Sequence, residues 1–125
     1  MAARRANVLM VEDELLISGL ISEVLTENGF AVHAVADGET ALKYLDNGPE
    51  VDVLFTDINL LGHMDGSMLA KQARERRPDL PIVYCSGCCS PSALAPLMPR
   101  SIFLRKPYDP HDLCKLLTRL TADAN

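Results

Sequence analysis

Polar side chains stand directly after four apolar runs of this 125-residue chain: Glu12 with Asp13, then Asp57, Ser86 and Lys106. Each run has the length of a buried strand, and an unpartnered charge at the end of such a strand is costly. If the strands are neighbours in one sheet, the three acids form a cluster of like charges that must take up protons or bind a cation. Mg²⁺ is typically held by one or two carboxylates, waters and a phosphate oxygen, so the pattern predicts a metal-assisted phosphate site.

Each side chain has a natural role in such a site. A carboxylate can accept a phosphoryl group as an acyl phosphate, which makes Asp57 the candidate nucleophile. Lys106 and the metal ion are expected to neutralise the phosphoryl oxygens, and Ser86 offers a hydroxyl donor. Singly these residues are weak signals, because an Asp after a strand is usually a turn or cap residue and a Lys before Pro is usually solvated. Their weight comes from their combination at successive strand ends.

The elements that must position these residues follow from the periodicity of apolar residues. Strands are predicted at 7–11, 31–36, 51–56, 81–86 and 102–105. Helices are predicted over 14–28, 38–46, 66–77 and, weakly, 91–98, with a last helix that begins at the Asp109-Pro110 signature. In the first helix the spacing places one apolar stripe on the residues Leu16, Leu20, Ile21, Val24 and Leu25.

Five mostly continuous apolar strands that alternate with helices indicate a parallel sheet covered on both faces. Right-handed crossovers make this a doubly wound α/β sandwich, with the functional crevice beyond the carboxyl ends of the strands. One domain is expected over 1–125, with its core over about 7–121 and no attached output domain. The strand-end side chains would then share that crevice.

Composition excludes several other classes of function. The net charge of −5 and the isoelectric point of about 5.1 argue against nucleic-acid binding. No apolar run is long enough for a membrane span and the amino terminus lacks a signal-peptide core, so a cytoplasmic protein without membrane contact is expected.

The cysteines are expected to be reduced. The CxxC spacing of Cys85 and Cys88 leaves open a thiol-redox alternative, in which a helix terminus would lower a thiol pKa.

The stretches VLMVEDE, LFTDINL, YCSG and FLRKPY resemble, in order and spacing, the motifs of receiver domains of two-component response regulators. The resemblance implies a flavodoxin-like (βα)5 sandwich with strand order 2-1-3-4-5. It implies that a histidine kinase or a histidine phosphotransfer protein donates a phosphoryl group to Asp57. The receiver then switches binding to a downstream protein, or acts as a relay or phosphate sink. The resemblance implies no enzyme activity beyond the domain's own phosphoryl transfer and dephosphorylation, and a monomer or weak dimer is expected.

The resemblance also assigns roles at the site. Asp13, Asp57 and the main-chain carbonyl of Asn59 are expected to hold Mg²⁺, with Glu12 helping through water. Ser86 and Phe103 are expected to shift together on phosphorylation, because a new dianion attracts the hydroxyl and vacates space for the ring. Phe103 can equally be a plain core residue. The peptide before Pro107 is cis in the family.

Two segments depart from the family pattern and indicate an atypical, stand-alone subgroup. The loop LLGHMDG lacks the usual proline and is one residue longer. The stretch CCSPSALAPLMPR, which includes the helix predicted over 91–98, carries Pro91, Pro96 and Pro99, and Pro96 would break or kink the interior of that helix.

Two other classes of protein remain as alternatives. A phosphohydrolase of the haloacid-dehalogenase type has a second acid two residues after its nucleophile, where this chain has Asn59. A phosphorylation-independent interaction module would commonly have lost the acid pair, the aspartate or the lysine, and this chain retains all of them.

Overall fold

The computed structural model of the chain describes residues 5–58, 60, 64–86 and 100–122. The described strands are β1 (Asn7–Val11), β2 (Ala31–Val35), β3 (Val53–Asp57), β4 (Ile82–Ser86) and β5 (Ser101–Arg105). The described helices are α1 (Leu15–Glu27), α2 (Gly38–Asp46), α3 (Gly66–Arg76) and α4 (Pro110–Leu120). These bounds agree with the predicted ones to within two residues at nearly every end, and β3 includes Asp57. The helix predicted over 91–98 lies outside the described residues.

The five strands form one parallel sheet in the order β2-β1-β3-β4-β5, which confirms the predicted topology. In its central part Met10 lies beside Phe55, and Phe55 beside Val83. The central strands are apolar throughout because both of their faces are covered. All five carboxyl ends lie at one edge, with β3 in the middle of the sheet.

Alternate side chains of each strand enter two separate cores. The first core lies under α2 and α3 and contains Leu9, Leu54, Ile82 and Tyr84. The second lies under α1 and α4 and contains Met10, Phe55, Val83, Cys85 and the helix residues Leu113, Cys114 and Leu117. The sheet is thus the middle layer of a sandwich. None of the described helices is long and apolar enough to cross a membrane.

The prediction of one apolar stripe on α1 is wrong for two of its residues, which do not face the core. Leu16 is 91% exposed and Leu20 is 59% exposed, whereas Ser18, Ile21 and Leu25 are buried. At 3.6 residues per turn, Leu16 and Leu20 lie on the side of the helix opposite to Ser18. The apolar arc of α1 is wider than the face that contacts the sheet, and its outer part points away from the core.

Aspartates cap three of the helices. Asp37 accepts a hydrogen bond from the Thr40 N–H at 2.7 Å, Asp65 from Met68 N–H at 2.9 Å, and Asp109 from His111 N–H at 2.8 Å. Each cap satisfies a backbone donor that the first turn of a helix leaves unpaired. The Asp109-Pro110 signature predicted the last of these caps, and the structure confirms it.

Candidate functional site

Asp57 is the last residue of β3 and is 7% exposed, at the centre of the carboxyl edge of the sheet. Its register partner on β4 is Cys85, and the following Ile58 N–H donates to the Cys85 carbonyl at 2.9 Å. The Lys106 Nζ lies 2.6 Å from Asp57 Oδ2. Lys106 follows β5, so its long side chain crosses the end of β4 to make this ion pair. A buried carboxylate requires such a partner.

Lys106 is fixed by both its backbone and its side chain. Its N–H donates to the Ser86 carbonyl at 3.0 Å, and its peptide bond with Pro107 is cis, as the family resemblance implied. Burial alone would lower the pKa of the Lys106 ammonium. Its hydrogen bond to Asp57 and the surrounding negative charge, including that of Glu12, outweigh burial and raise the pKa above its ordinary value. Lys106 therefore remains a cation over the physiological pH range.

Glu12 is the second buried carboxylate of the site. Its N–H donates to the Val35 carbonyl at 3.0 Å, which anchors it to β2. One carboxylate oxygen accepts the Glu14 N–H at 3.1 Å, and the other lies 3.6 Å from Lys106 Nζ. Burial raises the pKa of Glu12, and the negative charge of Asp57 adds to the rise, while the hydrogen bond from Glu14 and the Lys106 charge oppose it.

Asp13 is half-buried beside Glu12, and its side chain makes a small further contribution to the raised pKa of Glu12. The structure therefore brings Glu12, Asp57 and Lys106 together, with Asp13 next to Glu12.

Chemically, this set suits a hard cation because Mg²⁺ takes carboxylate oxygens. Within the described parts of the chain, however, no three acidic, histidine or cysteine side chains already stand as a group that could hold a metal ion. The fourth predicted ligand, Asn59, lies outside the described residues.

Ser86 and Phe103, the two predicted switch residues, lie on neighbouring strands. Ser86 is fully buried, one residue beyond Cys85 on β4. Phe103 pairs in register with Tyr84 on the same two strands and packs, half-buried, against the core under α2 and α3. Strand alternation places Ser86, Tyr84 and Phe103 on the same face of the sheet.

The amino end of α3 approaches the acceptor strand more closely than the sequence reasoning recognised. Gly66 N–H donates to the Ile58 carbonyl at 2.8 Å. A Cβ at Gly66 would stand 2.3 Å from the Asp57 carbonyl oxygen and 2.8 Å from Ile58 Cα. Only glycine fits at this position, because the Cβ atom of any other residue would clash with the backbone of Asp57 and Ile58. The signal was present in the sequence as the Asp65-Gly66 pair of the LLGHMDG loop.

The cysteine geometry argues against thiol chemistry at Cys85. Burial raises the pKa of its thiol to about 12, and the charge of Asp57 acts in the same direction. A reactive thiol needs a lowered pKa and some exposure, and Cys85 is 1% exposed. Cys114 is buried in the core under α1 and α4. Cys88, the other half of the CxxC pair, lies outside the described residues.

The fold and this cluster of two buried acids and a lysine define a receiver-type α/β domain. The sequence matches the response regulator receiver domain family over residues 8–118. The chain therefore belongs to that family, whose members act in two-component signalling.

Known proteins of several kinds share this domain. The chain is 34% identical over 107 residues to the sensor kinase CckA of Brucella abortus, a match that covers 82% of this chain but 11% of the kinase. It is 30% identical over 118 residues to the two-component response regulator ORR5 of Oryza sativa, covering 91% of this chain and 87% of that protein.

Solved structures agree with the fold. A response regulator receiver protein from Sinorhizobium medicae superposes with a TM-score of 0.89 at 31% identity, covering 99% of this chain and 100% of the other. The chemotaxis protein CheY4 of Vibrio cholerae superposes with a TM-score of 0.83 at 29% identity, covering 94% of this chain and 99% of the other.

Proposed function

We propose that Asp57 is a phosphoacceptor and that this receiver takes its phosphoryl group from a histidine kinase or a histidine phosphotransfer protein. The observation that carries the proposal is the ion pair of the buried Asp57 carboxylate with Lys106 at the carboxyl edge of the sheet. The same edge holds Glu12. Family membership supports the donor class.

The transfer is a displacement at phosphorus. A carboxylate oxygen of Asp57 forms a bond to phosphorus while the bond from phosphorus to the donor nitrogen breaks, and the imidazole leaves with the electron pair. Lys106 stabilises the negative charge on the oxygens, and the Ser86 hydroxyl can donate to one of them after transfer. Burial at the strand end keeps Asp57 oriented toward the donor.

Mg²⁺ is the cofactor that fits the acids, with Glu12, Asp13, Asp57 and the carbonyl of Asn59 as its proposed ligands. When bound, such an ion neutralises charge on the transferring phosphoryl group. Lys106 by itself provides one positive charge near two buried carboxylates, which leaves the site net negative before a dianionic group arrives.

A surface beside the site suits the donor protein. Leu15, Leu16 and Leu20 are 79%, 91% and 59% exposed, and α1 begins three residues after Glu12. Large exposed apolar side chains that lie together mark interaction surfaces. A donor that brings a phosphohistidine to Asp57 must cover this end of α1, so we propose that these leucines contact the donor.

The test of the acceptor is labelling of the chain with acetyl phosphate and Mg²⁺, followed by intact-mass spectrometry. We expect one phosphoryl group on the wild type and none on Asp57→Asn. The matched control is Asp79→Asn, a surface aspartate paired with Arg100 far from the site. Full labelling of Asp57→Asn, or no labelling of the wild type with any donor, would overturn the proposal and favour an interaction module that does not use phosphate.

The fate of the phosphoryl group distinguishes a relay from an output role. Phosphotransfer profiling against purified histidine kinases and phosphotransfer proteins measures both directions of transfer. Rapid return to a histidine indicates a relay or phosphate sink. A stable phosphorylated form that gains a binding partner indicates a switch that acts on a downstream protein.

A further inference from the structure

Tyr84 is a polar side chain in the centre of β4, 2% exposed and embedded in the core under α2 and α3. Its neighbours along the strand are Val83 and Cys85, which face the opposite core. Burial raises the pKa of the Tyr84 phenol above its ordinary value. A buried phenol needs a hydrogen-bond partner, and its position in the core is thereby fixed.

Residues of two other elements act on the phenol. The charge of Arg74 on α3 and the Ser101 side chain of β5 both lower its pKa, against the larger effect of burial. The core that encloses the ring also contains three residues of α3, namely Leu69, Ala70 and Ala73. Arg74 is itself anchored, because its Nε donates to the Leu80 carbonyl at 2.6 Å just before β4. Tyr84 of β4 therefore lies beside β5 and shares one core with α3.

Tyr84 is a strand neighbour of the residues proposed to respond to phosphorylation. Tyr84 pairs in register with Phe103, and Ser86 follows two residues later on the same face of β4. Phe103 is half-buried against the core that contains Tyr84. Any displacement of the Phe103 ring toward Ser86 changes its contact with Tyr84, because close-packed interiors leave no free space between neighbouring rings.

We propose that Tyr84 is the positioning residue through which the acceptor site acts on α3, by way of its place beside Phe103 and its packing in one core with residues of α3. The proposal rests on the function proposed above, since it needs a phosphoryl group at Asp57. The change begins at Ser86 and Phe103 and reaches α3 through its core residues Leu69, Ala70 and Ala73. The surface that changes for a downstream partner then includes α3.

The tyrosines of the chain provide the test. There are three, Tyr44, Tyr84 and Tyr108, so incorporation of 3-fluorotyrosine gives three ¹⁹F resonances that Tyr→Phe variants assign. Tyr108 reports occupancy of the site, because the charges of Lys106, Glu12 and Asp57 all act on its phenol. Tyr44 is the remote control, stacked on His33 and lining a cavity with Asn7 and Ala31 at the amino ends of the strands.

The full chain is titrated with beryllium fluoride and Mg²⁺, a mimic of the phosphoryl group. We expect the Tyr108 and Tyr84 resonances to move with the same midpoint while the Tyr44 resonance stays in place. A moved Tyr108 resonance with an unmoved Tyr84 resonance overturns this inference and leaves the phosphoacceptor function intact. If no resonance moves at saturating probe, the proposed function and the inference both fail.

A second measurement separates coupling from a merely structural role. In Phe103→Leu we expect Tyr108 to respond as in the wild type and the Tyr84 displacement to fall by about twofold or more, as couplings through packed side chains do. Ile102→Val, which trims the neighbouring side chain on the opposite face of β5, is the matched control and should leave the Tyr84 response unchanged. An undiminished Tyr84 response in Phe103→Leu contradicts the route through Phe103.

Discussion

The Lys106 ammonium lies 2.6 Å from the Asp57 carboxylate and 3.6 Å from that of Glu12, so one cation serves two buried acids that come from different strands. The pair joins the end of β3 to the loop after β5, with β4 between them. This geometry makes Lys106 both a structural counter-ion and a candidate stabiliser of a transferred phosphoryl group.

Replacement of Lys106 by methionine should destabilise the protein near neutral pH. It leaves the Glu12 and Asp57 carboxylates without their cation, and we expect a loss of about 1–3 kcal/mol in the free energy of unfolding, discounted for the partial exposure of Lys106. Urea unfolding measures the loss, and added Mg²⁺ should recover part of it. Lys115→Met, on the exposed face of α4, is the control. Equal unfolding free energies for the two variants would contradict the counter-ion role.

Gly66→Ala should damage the site through the backbone of Asp57. The new Cβ would stand 2.3 Å from the Asp57 carbonyl oxygen, so the start of α3 must move away. We expect a loss of about 2 kcal/mol or more in the free energy of unfolding, together with slower labelling by acetyl phosphate.

The matched control for this variant is Gly19→Ala in the middle of α1. Nothing lies within 4 Å of a Cβ built at Gly19. Alanine there should stabilise the helix by about 0.5–1 kcal/mol, because glycine is the poorer helix former. If both variants shift the urea midpoint in the same direction, the close approach of Gly66 to Asp57 has no energetic consequence.

Polar substitution of the outer face of α1 should separate protein donors from small donors. The double variant Leu16→Gln and Leu20→Gln changes exposed side chains, so stability should stay within about 0.5 kcal/mol of the wild type. Transfer from a phosphorylated histidine protein should slow by about tenfold, because apolar contact area with the donor is lost. Labelling by acetyl phosphate should not change. Glu27→Gln, at the far end of α1, is the control, and equal slowing with both donors would place the defect in the site itself.

The sequence predicted the topology because the sheet is central and covered on both faces. Strands of that kind are apolar throughout, and a parallel sheet places Glu12, Asp57 and Lys106 at one edge whatever the details of the loops. The parallel topology predicts that these three side chains share an edge, whereas the roles of Asn59 and Phe103 came from the family resemblance.

Leu16 and Leu20 show where such reasoning failed. Helical periodicity predicts that α1 has an apolar side, but it does not predict which part of a wide apolar arc contacts the sheet.

The contacts of Gly66 and Tyr84 were missed for a related reason. They depend on how closely α3 approaches the ends of β3 and on which side chains neighbour each other across β4 and β5, and those distances are set by packing between elements distant in the sequence.

The cap of α2 provides a prediction on the pH dependence of stability. The hydrogen bond from the Thr40 N–H holds the pKa of Asp37 below its ordinary value of 3.8. The charged cap therefore makes its full contribution to stability above the ordinary pKa of 3.8, and this contribution is lost as the pH falls through the lower pKa of the folded state.

Asp37→Ala should lower the free energy of unfolding by about 1 kcal/mol at neutral pH. Asp37→Asn keeps an acceptor that does not titrate, so its deficit relative to the wild type should shrink as the solution is made acidic. Urea unfolding over a series of pH values measures this difference, and a deficit that is constant with pH would show that the charge of Asp37 contributes nothing to the cap.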